Sequence, residues 1–92
     1  MTTAAMEKST FTREYHFLRK LLRKYRVEAG LTQVQLAEKI GETQSFVSKC
    51  ERGERRLDVV QLRAFCRAIG VDLKAFIVAF EGGLLPKGRH SL

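Results

Sequence analysis

The most constraining feature of the chain is the segment of residues 32–53, which reads TQVQLAEKIGETQSFVSKCERG. Thr32 followed three residues later by Gln35 is a capping box, the pattern that begins a helix. Gly41 suits a helix end because glycine tolerates a positive φ, and Thr43 can then cap a second helix. The segment therefore predicts two short helices joined by a tight turn.

Side-chain size and polarity along this segment suit two helices that cross at a steep angle. Ala37 provides the small residue that such a crossing needs where the helices come closest. The inward apolar residues before and after the turn are Leu36, Ile40, Val47 and Cys50. The second helix, from Gln44 to about Arg52, leaves polar or basic side chains outside. This is the layout of a helix-turn-helix, whose second helix can enter the major groove of DNA.

Apolar spacing predicts a long helix ahead of this segment, from about Thr12 to Ala29, with Gly30 as its C-terminal cap. Its inward stripe is Tyr15, Leu18, Leu22, Tyr25 and Ala29. The same helix is basic, and its positive residues are Arg13, Arg19, Lys20, Arg23, Lys24 and Arg26. A solvated face is the favoured interpretation of this charge, with contact to phosphate or to an acidic partner as the alternative.

Two further helices are expected after the central segment. Asp58 and Gln61 form a second capping box, and Gly70 ends the helix that they begin. The inner face of this fourth helix is Val59, Leu62, Phe65, Cys66 and Ile69. Asp72 caps a fifth helix, which the glycine pair at 82–83 is expected to end. The inner face of the fifth helix is Leu73, Phe76, Ile77 and Phe80.

These elements define the expected architecture. No strand-like alternation or internal repeat is visible, so the fold class is all-α, a compact five-helix bundle that contains the helix-turn-helix. A chain of 92 residues allows one domain. We expect a flexible N-terminal arm over residues 1–11, the helical domain over 12–82 and a loose C-terminal tail over 83–92.

The charge of the chain narrows the choice of partner. The sequence has 17 Lys and Arg against 10 Asp and Glu, a net charge of +7. This excess favours a polyanion, with nucleic acid first and an anionic membrane surface second. No apolar run approaches the ~18–20 residues of a membrane-spanning helix, and residues 1–10 lack the apolar centre of a signal peptide. We therefore expect a cytoplasmic protein.

Residues that support catalysis or metal binding are sparse. Cys50 and Cys66 lie in helical patterns without metal-ligand spacing, which favours core packing as reduced thiols. Lys49 and Arg52 beside Cys50 leave a redox role open. The histidines are isolated, and no histidine base or phosphate-binding loop accompanies the carboxylates. We therefore expect no metal, no cofactor and no enzymatic activity.

In combination, the central residues resemble the lambda-repressor-like family of helix-turn-helix domains, also called the XRE family. The pattern is LTQ-x-x-LA, then a glycine, then S-x-VSK-x-ERG, and the likeness covers about residues 18 to 80. The residues that carry it are Arg26, Gly30, Leu31, Thr32, Gln33, Leu36, Ala37, Gly41, Val47, Ser48, Lys49, Glu51, Arg52 and Gly53. The resemblance implies sequence-specific binding of double-stranded DNA and a role in transcription regulation.

The resemblance also implies roles for individual residues. Base-reading positions, at the start of the recognition helix and one turn further, are Gln44, Ser45, Ser48 and Lys49. Phosphate-binding positions are Gln33, Thr43, Arg52, Arg55 and Arg56. Arg26 and Glu51 match positions that pair in relatives, which predicts a structural salt bridge between the first and third helices. Phe46 departs from the pattern; it could touch a thymine methyl group, but packing on a neighbouring helix is the favoured interpretation.

The fifth helix is more apolar than one buried face requires, because residues 76–80 read FIVAF and two leucines follow at 84 and 85. Relatives commonly dimerise through this end of the domain. We expect a homodimer interface at Phe76, Ile77 and Phe80. The two recognition helices would then lie ~34–36 Å apart, one duplex turn, on a palindromic operator.

The sequence therefore predicts a dimeric transcriptional repressor that reads the major groove with residues 44–52. One alternative is an antitoxin-like module that binds DNA and also a partner protein, through the basic first helix or the apolar C-terminal end. A restriction–modification controller is a second alternative. A domain that kept the fold but lost DNA binding is a third, and the polar, uncharged or basic residues at the reading positions argue against it.

Overall fold

The computed structural model describes the backbone of residues 2–84 and the side chains of residues 13–84. Its helices are α1 Thr2–Glu28, α2 Gln33–Ile40, α3 Gln44–Arg52, α4 Val59–Ile69 and α5 Leu73–Leu84. No strand occurs in this part of the chain. Helix α2 packs on α3 and α4, while α1 packs across α3, α4 and α5. The expected all-α, five-helix architecture is confirmed.

The predicted helix ends are confirmed where a local signal fixes them. The Thr32 hydroxyl accepts a hydrogen bond from the backbone N–H of Gln35, and the Gln35 side chain accepts one from the backbone N–H of Thr32. Asp58 and Gln61 make the same reciprocal pair at the start of α4. Gly41 has a φ of 72°, in the left-handed region, and its backbone turns the chain from α2 towards α3.

The first helix starts earlier than the sequence predicted. Helix α1 begins at Thr2 rather than at about Thr12, so residues 2–11 are helical instead of forming an irregular arm. Their sequence, TTAAMEKSTF, contains neither glycine nor proline and includes good helix formers in its centre. The small, polar character of these residues was therefore a poor sign of a flexible arm. The division of the chain into arm, domain and tail stays a prediction.

The fifth helix also runs further than predicted, through both glycines to Leu84. Gly83 lies so close to α1 that a Cβ atom built on it would overlap Cζ of Phe17. The glycine therefore permits close packing of α5 on α1 and does not end the helix. Phe17 and Phe80 stack beside this point with ring centroids 5.9 Å apart. Residues 85–92 of the predicted tail lie outside the described part of the chain.

One hydrophobic core lies between the helices. Its members are Leu21, Leu22, Leu36, Ala37, Val47, Cys50, Leu62, Phe65, Cys66, Ile69 and Phe76. Three predicted inward residues are wrong: Val59 is 64% exposed, Ile77 is 39% exposed, and Ala29 is also exposed. Val59 and Ala29 stand at helix ends, where the neighbouring helix no longer covers the face that periodicity assigns. Leu21 was missed because it lies at the edge of the predicted stripe of α1.

The two cysteines pack as the sequence predicted. Cys50 and Cys66 are buried as free thiols in the core. Loss of solvent around the sulfur atoms raises the pKa of each thiol to about 11, since burial disfavours the thiolate. Both thiols are therefore protonated at neutral pH, which argues against the redox role that was left open for Cys50. The expected packing of Phe46 is also confirmed, because its ring lies 6.2 Å from that of Phe65.

The close approach of α5 to α1 yields a test with a matched control. Gly83→Ala forces a Cβ atom into the ring of Phe17, so we expect the free energy of unfolding to fall by ~1–3 kcal/mol. Gly82→Ala meets nothing within 4 Å, so the better helix propensity of alanine should raise stability by up to ~1 kcal/mol. Urea unfolding of both variants measures this difference. Equal stabilisation by the two substitutions would show that α5 does not pack closely on α1.

Candidate nucleic-acid interface

Helix α3 presents a polar face to solvent because only one of its sides enters the core. Val47 and Cys50 are buried, and they anchor the helix against α1 and α2. Gln44, Ser45 and Lys49 lie on the exposed side, as the sequence predicted. The exposed side of α3 is therefore available to a partner without any change in packing.

The beginning of α3 is fixed by its cap. The Thr43 hydroxyl accepts a hydrogen bond from the backbone N–H of Phe46 at 3.1 Å. The other N–H groups of the first turn remain without helical partners, and the helix dipole gives this end a partial positive charge. Thr43 thus stands where a helix can receive a phosphate oxygen. Lys49 and Arg55 line the same shallow cleft, together with the single acid Glu42.

A buried ion pair connects α3 to α1. The Arg26 Nε donates to Glu51 Oε2 at 2.6 Å, and its Nη2 donates to Oε1 at 3.1 Å. A third bond runs from Arg26 Nη1 to the carbonyl oxygen of Leu31 at 2.7 Å, just before α2. Both charged side chains are more than nine-tenths buried. The predicted salt bridge is present, and its two-point geometry fixes the position of both partners.

Hydrogen bonds extend from this ion pair to the surface of α3. The Gln33 Nε2 donates to Glu51 Oε1 at 2.9 Å, and the Gln44 Nε2 donates to Gln33 Oε1 at 2.7 Å. Because Glu51 accepts the Gln33 bond, the amide of Gln33 must turn its oxygen towards Gln44. One N–H and the oxygen of Gln44 then remain available at the helix surface. We call these four residues, Arg26, Glu51, Gln33 and Gln44, the polar relay.

The loop after α3 is held by a tyrosine from α1. The Tyr15 hydroxyl accepts a hydrogen bond from the backbone N–H of Leu57 at 2.9 Å. The guanidinium of Arg56 lies 4.5 Å from the centre of the Tyr15 ring, and that of Arg55 lies 5.0 Å from the Phe46 ring. These cation–π contacts hold both exposed guanidinium groups beside α3. Ring packing therefore positions two of the predicted phosphate-binding arginines.

Two other predicted contacts are engaged within the chain. Arg52 donates to both carboxylate oxygens of Glu54, at 2.9 and 3.2 Å, and also to the Ser48 hydroxyl. The hydrogen bonds from Arg52 lower the pKa of the Glu54 carboxyl from its usual value. Arg52 must leave this acid to bind a phosphate, and Ser48 is half-buried beneath it. Both residues are thus less available than Gln44 or Lys49.

Arg19 has a structural role that the sequence pattern did not reveal. Its Nη1 donates to the backbone carbonyl oxygen of Glu51 at 2.8 Å, in the last turn of α3. A cation at this end favourably meets the negative end of the helix dipole. The guanidinium also lies against Gly53, where an added Cβ would be 2.8 Å from Cζ of Arg19. This residue of the basic helix is therefore a packing group and not part of a solvated face.

The remaining basic residues of α1 are mixed in character. Lys24 is exposed, and its Nζ lies 3.9 Å from Glu28 Oε2. A solvated pair of this kind contributes little to stability. Arg23 is also exposed, although its Nε reaches within 3.9 Å of Glu51 Oε1. The solvated-face interpretation thus holds for Lys24 and fails for Arg19 and Arg26.

The structure corrects one residue of the predicted dimer interface. Phe76 is fully buried in the core of its own chain, and its ring lies 5.9 Å from that of Tyr25. Phe76 was selected as part of an apolar run, but it shares a face with the core residues, so it cannot meet a partner. Ile77 is 39% exposed, Val78 is 71% exposed, and Phe80 is half-buried against Phe17. The apolar surface of α5 that remains exposed therefore centres on Ile77 and Val78.

The described residues show no candidate site of another kind. No cluster of His, Cys, Asp and Glu side chains among residues 13–84 could hold a metal ion. No helix of the described chain is both long and apolar enough to span a membrane. The exposed face of α3 is consequently the most developed candidate site of the described chain.

Residues 22–76 match the helix-turn-helix family, which is more than half of the chain. An XRE-family like protein from Pseudomonas syringae pv. tomato has a similar structure, with a TM-score of 0.82 and 42% identity over 87% of this chain and 98% of that one. An uncharacterised HTH-type transcriptional regulator of Methanothermobacter thermautotrophicus is 36% identical over 58% of this chain and 77% of its own length.

A third similar protein is the restriction–modification controller protein C.Esp1396I, with a TM-score of 0.73 and 25% identity over 79% of this chain and 96% of that one. The fold and the exposed face of α3 define a helix-turn-helix domain. The chain belongs to the XRE family of these proteins, as the sequence resemblance indicated.

The buried end of the polar relay gives the second test. Glu51→Ala leaves the Arg26 guanidinium buried without its counter-ion, so we expect the free energy of unfolding to fall by ~3–5 kcal/mol. Glu54→Ala removes an exposed acid paired with Arg52 and should hardly change stability. Chemical denaturation at neutral pH compares the two variants. Similar small losses would contradict a structural role for the buried ion pair.

Proposed function

We propose that this chain is a sequence-specific, double-stranded DNA-binding regulator of transcription, acting as a dimeric repressor. The observation that carries the proposal is the exposed polar face of α3, whose first residue is held by the polar relay. A preorganised side chain loses little conformational freedom on binding, which favours specific recognition. Membership of a helix-turn-helix family supports the same activity.

We assign base reading mainly to Gln44, Ser45 and Lys49. The free oxygen and N–H of the Gln44 amide match the N6 donor and N7 acceptor of adenine. Lys49 makes no hydrogen bond within the described chain and can donate to the O6 and N7 acceptors of guanine. Ser48 is assigned a lesser role, since Arg52 already donates to its hydroxyl.

Phosphate binding is assigned to residues on either side of this face. Gln33 and Thr43 stand at the positive ends of α2 and α3, where backbone N–H groups can also reach phosphate oxygens. Arg55 and Arg56 extend the positive surface along the loop after α3. Arg52 can join them once Glu54 is displaced. These contacts orient the domain on the duplex and carry no sequence information themselves.

We propose that two copies associate through α5, with Ile77 and Phe80 retained from the predicted interface and Val78 added. Val78 is the most exposed large apolar residue of that helix, and a surface of this kind is costly to leave in water. Two-fold pairing would place identical recognition helices on a palindromic operator. A monomeric mass at micromolar concentration would contradict this part of the proposal.

Two narrower roles stay open as alternatives. Similarity to a restriction–modification controller supports a controller that regulates such a gene pair. An antitoxin-like protein would use a second surface for a protein partner while α3 binds DNA. Either role keeps the same DNA site, and we propose that the protein acts in the cytoplasm.

The experiment that tests the function is selection from a random double-stranded DNA pool at ~150 mM salt, because weaker nonspecific binding is suppressed at that ionic strength. We expect a palindromic consensus with half-site centres about 10 base pairs apart. A consensus without two-fold symmetry would contradict the proposed dimer and still support sequence-specific base reading. Bound DNA with no enriched sequence would overturn sequence-specific regulation.

Two substitutions separate base reading from phosphate binding. Lys49→Ala should reduce discrimination at one position of each half-site by ~1–3 kcal/mol, if the lysine contacts guanine at two points. Arg55→Ala should weaken binding to all sequences alike and reduce the slope of affinity against salt by about one charge. Titrations of consensus and scrambled duplexes at several salt concentrations measure both effects. Equal losses on both duplexes for both variants would contradict this division.

A further inference from the structure

A second surface, between α2 and α4, has no part in the proposed DNA site. It is an open groove of about 590 Å³. Its floor contains Val60, Ala64 and Ala68 of α4, and its basic rim contains Lys39, Arg63 and Arg67. The groove exists because alanines stand at 64 and 68, one turn apart, where longer side chains would fill the space beside α2.

The rim of this α2–α4 groove is positive and not neutralised. Lys39, Arg63 and Arg67 make no salt bridge among the described residues, whereas Lys24 and Arg52 elsewhere on the surface each have an acidic neighbour. Arg63 and Arg67 are also four residues apart on one helix, an arrangement in which like charges repel. The three cations therefore repel one another, and an acidic partner would relieve this repulsion.

The floor of the groove adds an apolar requirement. Val60 is 72% exposed, in the first turn of α4, and Val59 beside it is also exposed. A phosphate backbone alone would gain little from these methyl groups, since its affinity comes from charge. A partner that carries both carboxylates and apolar side chains can use the whole surface.

We propose that the α2–α4 groove binds an acidic amphipathic helix of a partner protein. Its apolar residues would lie on the alanine floor and Val60, and its carboxylates would meet the basic rim, as in other helix-in-groove complexes. The groove uses the C-terminal end of α2, while Gln33 stands at the other end, ~9 Å away along the axis at 1.5 Å per residue. None of the residues that line the groove is assigned to DNA contact.

The test uses two synthetic helical peptides of identical leucine and glutamate content. One has leucine at i, i+3, i+4 and i+7 with glutamate on the opposite face, and the other has the same residues scrambled. Titration into the ¹⁵N-labelled full chain should shift the amide resonances of Val60, Ala64 and Ala68 with the amphipathic peptide only. Absence of these shifts, or equal binding of the scrambled peptide, would overturn the proposal.

Charge-reversed variants show whether the rim itself is recognised. Arg63→Glu combined with Arg67→Glu should weaken amphipathic-peptide binding by about tenfold. Lys20→Glu combined with Lys24→Glu is the matched control, because it also reverses two cations one turn apart on an exposed helix face. The control should bind the peptide within roughly twofold of the natural chain, given weak effects of distant exposed charges. Equal losses of peptide affinity in the two double variants would show that net charge alone attracts the peptide, and they would overturn the proposal.

An uncharged variant tests the apolar part and guards against unfolding. Val60→Ser keeps the charge of the chain. It should lower the affinity for the amphipathic peptide several-fold while the circular dichroism spectrum stays unchanged.

The two charge-reversed variants are also titrated with a random-sequence duplex, and their masses in solution are measured by analytical ultracentrifugation. A larger loss of DNA affinity in the Arg63/Arg67 variant than in the control would make the groove a DNA surface. Loss of self-association would make it an interface between two copies, and either result would overturn the proposal.

Discussion

The buried Arg26–Glu51 pair is the interaction on which the rest of the structure depends. Burial removes two charges from water, and this cost is offset only when geometry and further hydrogen bonds are good. Here Arg26 meets both oxygens of Glu51 and also the backbone before α2, while Gln33 donates to the same carboxylate. One ion pair thereby fixes α1, the start of α2 and the end of α3 relative to one another. The orientation of the exposed face of α3 follows from it.

The sequence predicted those features that residues close in the chain determine. Capping at Thr32 and Asp58 needs only a hydroxyl or carboxylate and a backbone N–H three residues on, so the pattern specifies the geometry. Gly41 likewise fixes its own left-handed turn. Gly83 shows the limit, because its role depends on Phe17 in another helix. A glycine that ends a helix and one that admits a neighbouring ring look alike in sequence.

Side-chain networks between helices were less predictable for a related reason. Arg19 and Arg23 lie one turn apart in the same basic helix, yet Arg19 bonds the last turn of α3 while Arg23 stays exposed. The choice depends on the angle between α1 and α3, which periodicity does not give. Arg26 was assigned correctly only through family resemblance. The Gln33–Gln44 bond needed the two helix starts in space, since the residues are eleven positions apart.

The proposed base-reading residues differ in how strongly they are coupled to the fold. Gln44 takes its orientation from Gln33 and, through it, from the buried carboxylate of Glu51. A change at Gln44 therefore removes the donor to the Gln33 amide oxygen, although Gln33 keeps its bond to Glu51, and a change at Gln33 releases Gln44. Lys49 is exposed and has no such connection to the core. If both residues read bases as proposed, the Lys49 position can change without affecting stability, whereas the Gln44 position is constrained by the same bonds that hold the bundle together.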